Sequence, residues 1–207
     1  MAGSTDRRTL RRERTRARIM EAAQVLISER GFHDVGVLEI TEAADIGTGT
    51  FYNYFPSRDE LLAAVAEESM EQVGAALDRH LSVLDDPAET YAGSLRHLVL
   101  HALTDRVWGG LFVQMGAAHP ALMRTMGRRC RRDLVRGIEA GRFMIEDVDL
   151  AVNCTFGALV SALQGELNDE HPGRCDKLFA RAMLRMVGVT HDDATEVTNR
   201  PLPTLSA

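Results

Sequence analysis

The chain has 207 residues, 45% of them hydrophobic, and a formal net charge of −6, so it has enough apolar surface for one large or two small globular domains without staples. No window approaches the roughly 18 to 20 consecutive apolar residues that span a bilayer, and no apolar h-region follows the Arg-rich N-terminus, so a soluble, cytoplasmic protein with no membrane partner is expected. Cys130, Cys154 and Cys175 are odd in number, widely spaced and free of any CxxC pair, which argues against a disulfide framework or a zinc ribbon and for reduced, buried thiols.

The charge is unevenly spread. Arg7, Arg8, Arg11, Arg12, Arg14, Arg16 and Arg18 face only Asp6 and Glu13 near the N-terminus, and residues 1–14 are expected to be a basic arm. Taken alone, such an arm is a solvated, disordered tail. Exposed charges are screened beyond roughly 8 to 10 Å, so a local basic segment can also meet phosphates on an otherwise acidic chain.

Ile19, Ala22, Ala23, Leu26 and Ile27 recur with a helical period, and Gly31 supplies a stop with Phe32 placed to fold back on the last turn. A shorter set, Val37, Ile40, Thr41 and Ala44, breaks at Asp45-Ile46-Gly47, where Asp enters the left-handed region easily and Gly serves as an N-cap. The third helix starts near Thr48 and cannot pass Phe55, because Pro56 disfavours the α conformation before it. Ser57 and Glu60 form a capping box for a long fourth helix with Leu62, Val65, Ala66, Val73 and Leu77 on its apolar face. Long helix, short helix, tight turn, short helix and capped exit together make a helix-turn-helix.

At about 100° per residue, Thr48, Phe51 and Phe55 share one face of the third helix, and the two phenylalanines are core. Gly49, Thr50, Asn53 and Tyr54 lie opposite, with Tyr52 at the margin. Tyrosine hydroxyls suit phosphate oxygens, Thr50 and Asn53 suit base edges, and Gly49 permits close backbone approach. Arg58 opposes the dipole of the fourth helix but is well placed for a phosphate.

Residues 15–62, above all "ITEAADIGTGTFYNYFPSRDELL", resemble the N-terminal domain of the TetR family of bacterial transcriptional repressors, whose signature is met from Gly49 to Arg58. The resemblance implies an all-α fold, a double-stranded DNA operator as partner, a homodimer, and DNA contacts from Thr48, Gly49, Thr50, Tyr52, Asn53, Tyr54 and Arg58. The chain departs from the family pattern at Asp45 (usually Gly), Gly47 (usually Ser or Thr) and Gly36 (usually a Ser or Thr cap). Replacing a cap by Gly costs only a few tenths of a kcal/mol. A hydroxyl contact at position 47 is nevertheless absent.

Residues 63–188 are expected to form a helical ligand-binding and dimerisation domain. Asp86-Pro87 caps a helix carrying Tyr91, Leu95, Leu98, Val99 and Ala102; Asp105 to Gly116 is a short segment weakened by Gly109-Gly110; Pro120 opens a long helix ending near Gly141. A further helix runs from Asp147 or Asp149 to about Asn168, another covers 173–188, and residues 189–207 are expected to be a disordered tail. The helix to Asn168 has a large apolar face through Phe156, Leu159, Val160, Leu163 and Leu167, and a small one through Cys154, Ala158, Ser161, Ala162 and Gly165. With Leu178, Phe179, Ala182, Met183, Met186 and Val187 of the last helix, it is expected to build a four-helix dimer interface, which the resemblance also implies.

Trp108, Phe112, Met115, Met123, Met126, Phe143 and Phe156 would wall a cavity for a small, largely apolar effector, with His97, His101, Asn153 and Gln164 as polar handles; ordinary core is the competing reading of each. His97 and His101 have metal-binding spacing but lack the Glu of a zinc hydrolase and a third ligand, so no metal or cofactor is expected. The run Arg128, Arg129, Arg131, Arg132, Arg136 reads as a solvated face. A helical metal-dependent enzyme using the cavity, or an architectural DNA-binding protein without a ligand, are the alternatives. No nucleophile with its base, carboxylate pair or phosphate loop supports an enzyme.

Overall fold

The computed structural model describes residues 3–31, 34–81, 83–168 and 175–204. The expected fold-back of Phe32 lies outside them, as do residues 173, 174 and 205–207 of the expected last helix and tail. All regular structure among the described residues is helical, in two compact units, Met1–Glu68 and Ser69–Ala207. The division falls within the fourth helix, beyond the expected boundary at residue 62. Leu61, Leu62, Val65 and Ala66 are buried ahead of it, and Met70 is the first residue of the second unit's core.

The first unit contains α1 (Gly3–Arg30), α2 (Val37–Ala43), α3 (Thr48–Tyr52) and the start of α4 (Arg58–Leu81). The expected basic arm is not an arm: α1 is helical from Gly3. Between Ser4 and Arg30 there is neither Gly nor Pro, and Arg, Leu and Glu are good helix formers. Gly31 ends α1 with φ +82°, its N–H donating to Ile27 O at 2.8 Å. Asp45 takes φ +49°, and the N–H of Ile46 reaches back to Thr41 O at 3.0 Å, closing α2 with a left-handed turn. The Glu60 N–H donates to Ser57 Oγ at 3.1 Å, so the predicted cap of α4 forms.

The second unit adds α5 (Pro87–Thr104), α6 (Arg106–Met115), α7 (Pro120–Leu122), a π-helical turn (Met123–Gly127), α8 (Arg128–Glu139), α9 (Val148–Asn168), α10 (Cys175–Met186) and α11 (His191–Asn199). Asp86 caps α5 by accepting from the Ala88 N–H at 2.9 Å, and Asp105 caps α6 by accepting from Trp108 N–H at 2.9 Å. Gly109 does more than weaken α6. A Cβ there would lie 2.5 Å from the Ala102 carbonyl oxygen, so glycine is what lets α6 approach α5.

The tail is likewise corrected: residues 191–199 are α11, with Ala194, Val197 and Thr198 buried. Few apolar residues mark it because ion pairs hold it. Arg142 binds Asp86 at 2.9 Å and also Asp193, while Arg200 binds Asp86 at 3.1 Å, Glu89 at 2.8 Å and Glu196 at 2.8 Å. α9 is long and apolar enough to cross a membrane by length and composition, yet its Val152, Phe156, Leu159 and Leu163 are buried in the protein core.

Candidate nucleic-acid interface and ligand cavity

In the first unit Phe51 and Phe55 are buried, their ring centroids 6.0 Å apart, and they anchor a short α3. The helix is only Thr48–Tyr52, so Asn53 is its C-cap and Tyr54 lies beyond it. Thr48 is exposed rather than sharing the buried face with Phe51 and Phe55; Gly49, Tyr52 and Asn53 are also exposed, and Thr50 and Tyr54 are half-buried. A Cβ on Gly49 would meet nothing within 4 Å, so its own chain does not require glycine there.

Two arginines tie down the ends of α2, the helix before α3. Arg18 of α1 donates to the carbonyl oxygens of Ala44 and Asp45 at the end of α2, and Arg58 donates through Nε to Val35 O at 2.6 Å. Sequence reasoning expected a phosphate contact from Arg58 and did not foresee either strut. The Glu39 carboxylate accepts from the Gly36 N–H at 2.9 Å and from Arg30, and these bonds hold its carboxyl below the usual range. The Gly36 bond is the reciprocal half of a capping box, and Gly36 offers no side chain to accept from the α2 amides.

The second unit contains a small cavity of about 30 Å³, formed by residues from α4, α5, the π-turn, α8 and α9. Leu77, Tyr91, Leu95, Leu98, Met126 and Phe156 are its apolar walls, and Asp78, Ser94, Arg129, Cys130 and Asp133 are its polar groups. Arg129 donates to Asp78 Oδ2 at 2.8 Å and to both Glu71 oxygens at 2.6 and 2.9 Å; Arg132 donates to Asp78 Oδ1 at 2.7 Å and to Asp133 at 2.8 Å. Burial works to raise the Asp78 carboxyl, but the bonds from Arg132 and Arg129 outweigh it and hold it low. Burial pushes Asp133 up, only partly offset by Arg132, and pushes the Cys130 thiol up to about 12. The Tyr91 hydroxyl is paired with Thr155 Oγ1 at 2.8 Å.

Of the expected ligand residues, Met126 and Phe156 line this cavity. Trp108 and Phe112 stack behind Phe156, with centroids 5.2 Å apart for the first pair and 6.4 Å for Phe112 and Phe156. Met115 and Met123 pack at the edge of the core, and Phe143 packs on Tyr91. Asn153 and Gln164 are exposed on α9 and do not line this cavity. His101 stacks edge-on against Trp108 at 4.7 Å, whereas the Nε2 of His97 is buried without a hydrogen-bond partner among the described residues, and burial lowers the pKa of both. No group of three or more His, Cys, Asp or Glu able to hold a metal ion occurs among the described residues.

The Arg run of α8 is therefore not simply a solvated face: Arg129 is part of the cavity wall. Met126, Arg129 and Asp133 follow Leu122 at i+4, i+7 and i+11, which is core-face spacing, and that was the available signal.

Residues 19–65 match the profile of "Bacterial regulatory proteins, tetR family", and residues 86–200, more than half of the chain, match "Tetracyclin repressor-like, C-terminal domain". The chain belongs to the TetR family. It is thereby a DNA-binding, ligand-responsive regulator of transcription. Among solved structures, RolR in complex with resorcinol is 60% identical, with a TM-score of 0.88 over 96% of this chain and 100% of that one. RolR without ligand gives a TM-score of 0.84 at 60% identity, over 92% of this chain and all of that one. FadR from Bacillus subtilis, in complex with stearoyl-CoA, shares the fold at 19% identity, with a TM-score of 0.62 over 84% of this chain and 99% of that one. The transcriptional repressor KstR of Mycolicibacterium smegmatis is 38% identical over 68 residues, 33% of each chain. The match thus spans about a third of that curated relative's length.

Proposed function

We propose that this protein is a cytoplasmic homodimeric repressor that releases a palindromic operator when a small hydroxylated aromatic molecule occupies the cavity. One observation carries the choice of effector. An aromatic and aliphatic chamber with Asp78, Arg129 and Asp133 in its wall occurs in a chain 60% identical to a protein crystallised with resorcinol. A flat ring suits such apolar walls once they part to admit it, its hydroxyls can donate to the carboxylates, and its oxygens can accept from the guanidinium.

The dimer is supported by an unpartnered face. On α9, Leu150, Asn153, Cys154, Gly157, Ser161 and Gly165 are exposed, and on α10 Leu178, Ala182 and Met186 are exposed at i, i+4 and i+8. A Cβ on Gly157 or Gly165 would meet nothing within 4 Å, leaving room for a second helix at close range. In the dimer, two α3 helices would enter successive major grooves about 34 to 36 Å apart. Thr48, Gly49, Thr50, Tyr52 and Asn53 face the duplex; Arg58 holds Val35 and contributes through that strut.

Effector action is a population shift: the ligand favours release only by the margin with which it binds the released state more tightly. α4 begins at Arg58 and carries Leu77 and Asp78 of the cavity wall, so occupancy acts on a helix common to both units. The test is fluorescence anisotropy on a duplex from upstream of the protein's own coding sequence, titrated with resorcinol and, separately, benzoate. Release by resorcinol at concentrations where benzoate does nothing supports the reading. No release at millimolar resorcinol, with no rise in melting temperature, refutes the effector assignment.

A further inference from the structure

The continuous α1 carries Arg8, Arg11, Arg12, Arg14, Arg16 and Arg18 against Glu13 alone between residues 8 and 18. Steps of four residues put Arg8, Arg12 and Arg16 on one stripe, each about 6 Å further along the axis. The stripe meets the end of the DNA-reading segment: the Arg16 guanidinium carbon lies 5.1 Å from the Phe55 ring centroid, and that of Arg12 lies 6.0 Å from the Tyr54 centroid. Both distances are within cation–π range.

Like charges four apart weaken a helix. Among the described residues no carboxylate forms an ion pair with Arg8, Arg11, Arg12 or Arg14, whereas Arg18, Arg30, Arg96, Arg129, Arg142 and Arg200 all have one. An exposed cation stripe in fixed register beside α3 is complementary to a regular row of anions.

We propose that the Arg8–Arg12 stripe is a second DNA-contacting surface, gripping the sugar-phosphate backbone beside the bases read by α3. Tyr54 is a positioning residue for Arg12: its ring, not its hydroxyl, does the work. This differs from a flexible basic arm because the helix fixes which phosphates are met, so little ordering entropy opposes the contact. The proposal rests on DNA binding by the helix-turn-helix, and its test separates the two.

Full-length protein is titrated with salt on the upstream duplex and on a random-sequence duplex of equal length. Arg12→Gln and Arg8→Gln each lower the slope of log K against log salt by about 0.9 for every phosphate that is no longer neutralised. They weaken binding to both duplexes equally, so the specificity ratio is unchanged. Tyr54→Phe matches wild type, Tyr54→Ala reproduces Arg12→Gln, and the double variant Arg12→Gln/Tyr54→Ala adds nothing to either. Should Tyr54→Ala unfold by circular dichroism, the exposed Arg8 and Arg12 variants still decide the matter. An unchanged slope in both overturns the stripe, and a Tyr54→Phe as weak as Tyr54→Ala overturns the positioning role. Wild-type protein that binds neither duplex overturns the underlying DNA-binding reading itself.

Discussion

Replacing Arg129 by Met keeps an apolar stem in the cavity wall and removes only the guanidinium. The Arg129 side chain is 13% exposed and bridges Glu71, 49% exposed, with Asp78, 31% exposed. Breaking a fully buried pair costs about 3–5 kcal/mol. Here both carboxylates are partly solvated and Asp78 retains Arg132 at 2.7 Å, so screening brings the expected loss to about 1–2 kcal/mol. For a chain of this length that lowers the melting temperature by about 4 °C. The sign with pH follows from the depressed pKa values of Glu71 and Asp78. Their contribution is present above the unfolded carboxylate range and is lost as pH falls through the lower folded values, so wild type and variant converge in acid. Resorcinol binding loses one charge-assisted hydrogen bond, about 1.5–3 kcal/mol, or roughly 10- to 100-fold in Kd. Isothermal titration calorimetry with parallel guanidinium unfolding measures both. Arg131→Met is the control: its pair with Asp149 is 54% and 76% exposed, and both quantities should hold. An Arg129→Met protein that is destabilised yet binds resorcinol as wild type does would show that Arg129 is only a strut and that the effector site lies elsewhere.

Asp86→Ala removes the α5 cap together with the Arg142 and Arg200 pairs. Unfolding at pH 7 should show a loss of about 2 kcal/mol. Because burial of Asp86 is outweighed by its bonds to Arg142 and Ala88, which lower its pKa in the folded chain, the ionic part of that loss should fade as pH falls through the lowered folded value. Gly137→Ala would place a Cβ 1.9 Å from the buried Phe143 ring, and the forced shift should cost about 1–3 kcal/mol in a denaturant titration. Leu178→Glu puts a charge on a residue 59% exposed in the isolated chain, so monomer stability should hold. Light scattering should then report a monomer at a concentration where wild type is dimeric; an unchanged dimer places the interface on another face.

What could be read from sequence was what local chemistry decides. Gly31, Asp45, Pro56 and Ser57 act within a turn of themselves, and each boundary they mark is found in the structure. Phe51 and Phe55 were legible as core because five residues of helix leave few other arrangements. α11 was not legible, because its order depends on Arg142 and Arg200 reaching carboxylates far along the chain. The helical start of α1 was hidden by the habit of reading dense charge as disorder, although its composition favours helix. The struts from Arg58 and Arg18 were not legible because their carbonyl partners are contributed by other elements.

The cavity's polar groups escaped for a deeper reason. Asp78 lies on α4 and Arg129 and Asp133 on α8, so their pairing is visible only once the helices are packed; in sequence, an Arg run on a long helix is indistinguishable from a solvated face. The same pairing constrains how an effector can act. Both Asp78 oxygens are already held by Arg129 and Arg132, so a ligand hydroxyl aimed at Asp78 must compete with the bonds that tie α4 to α8. Moving a two-state equilibrium from 1:99 to 99:1 needs about 5.5 kcal/mol of differential binding. Two hydroxyls hydrogen-bonded to charged groups supply at most about 3–6 kcal/mol between them. The shift is therefore attainable only if nearly all of that interaction forms in the released arrangement, and a ring with one hydroxyl, at about 1.5–3 kcal/mol, should bind this cavity yet release only roughly a tenth to three fifths of the protein.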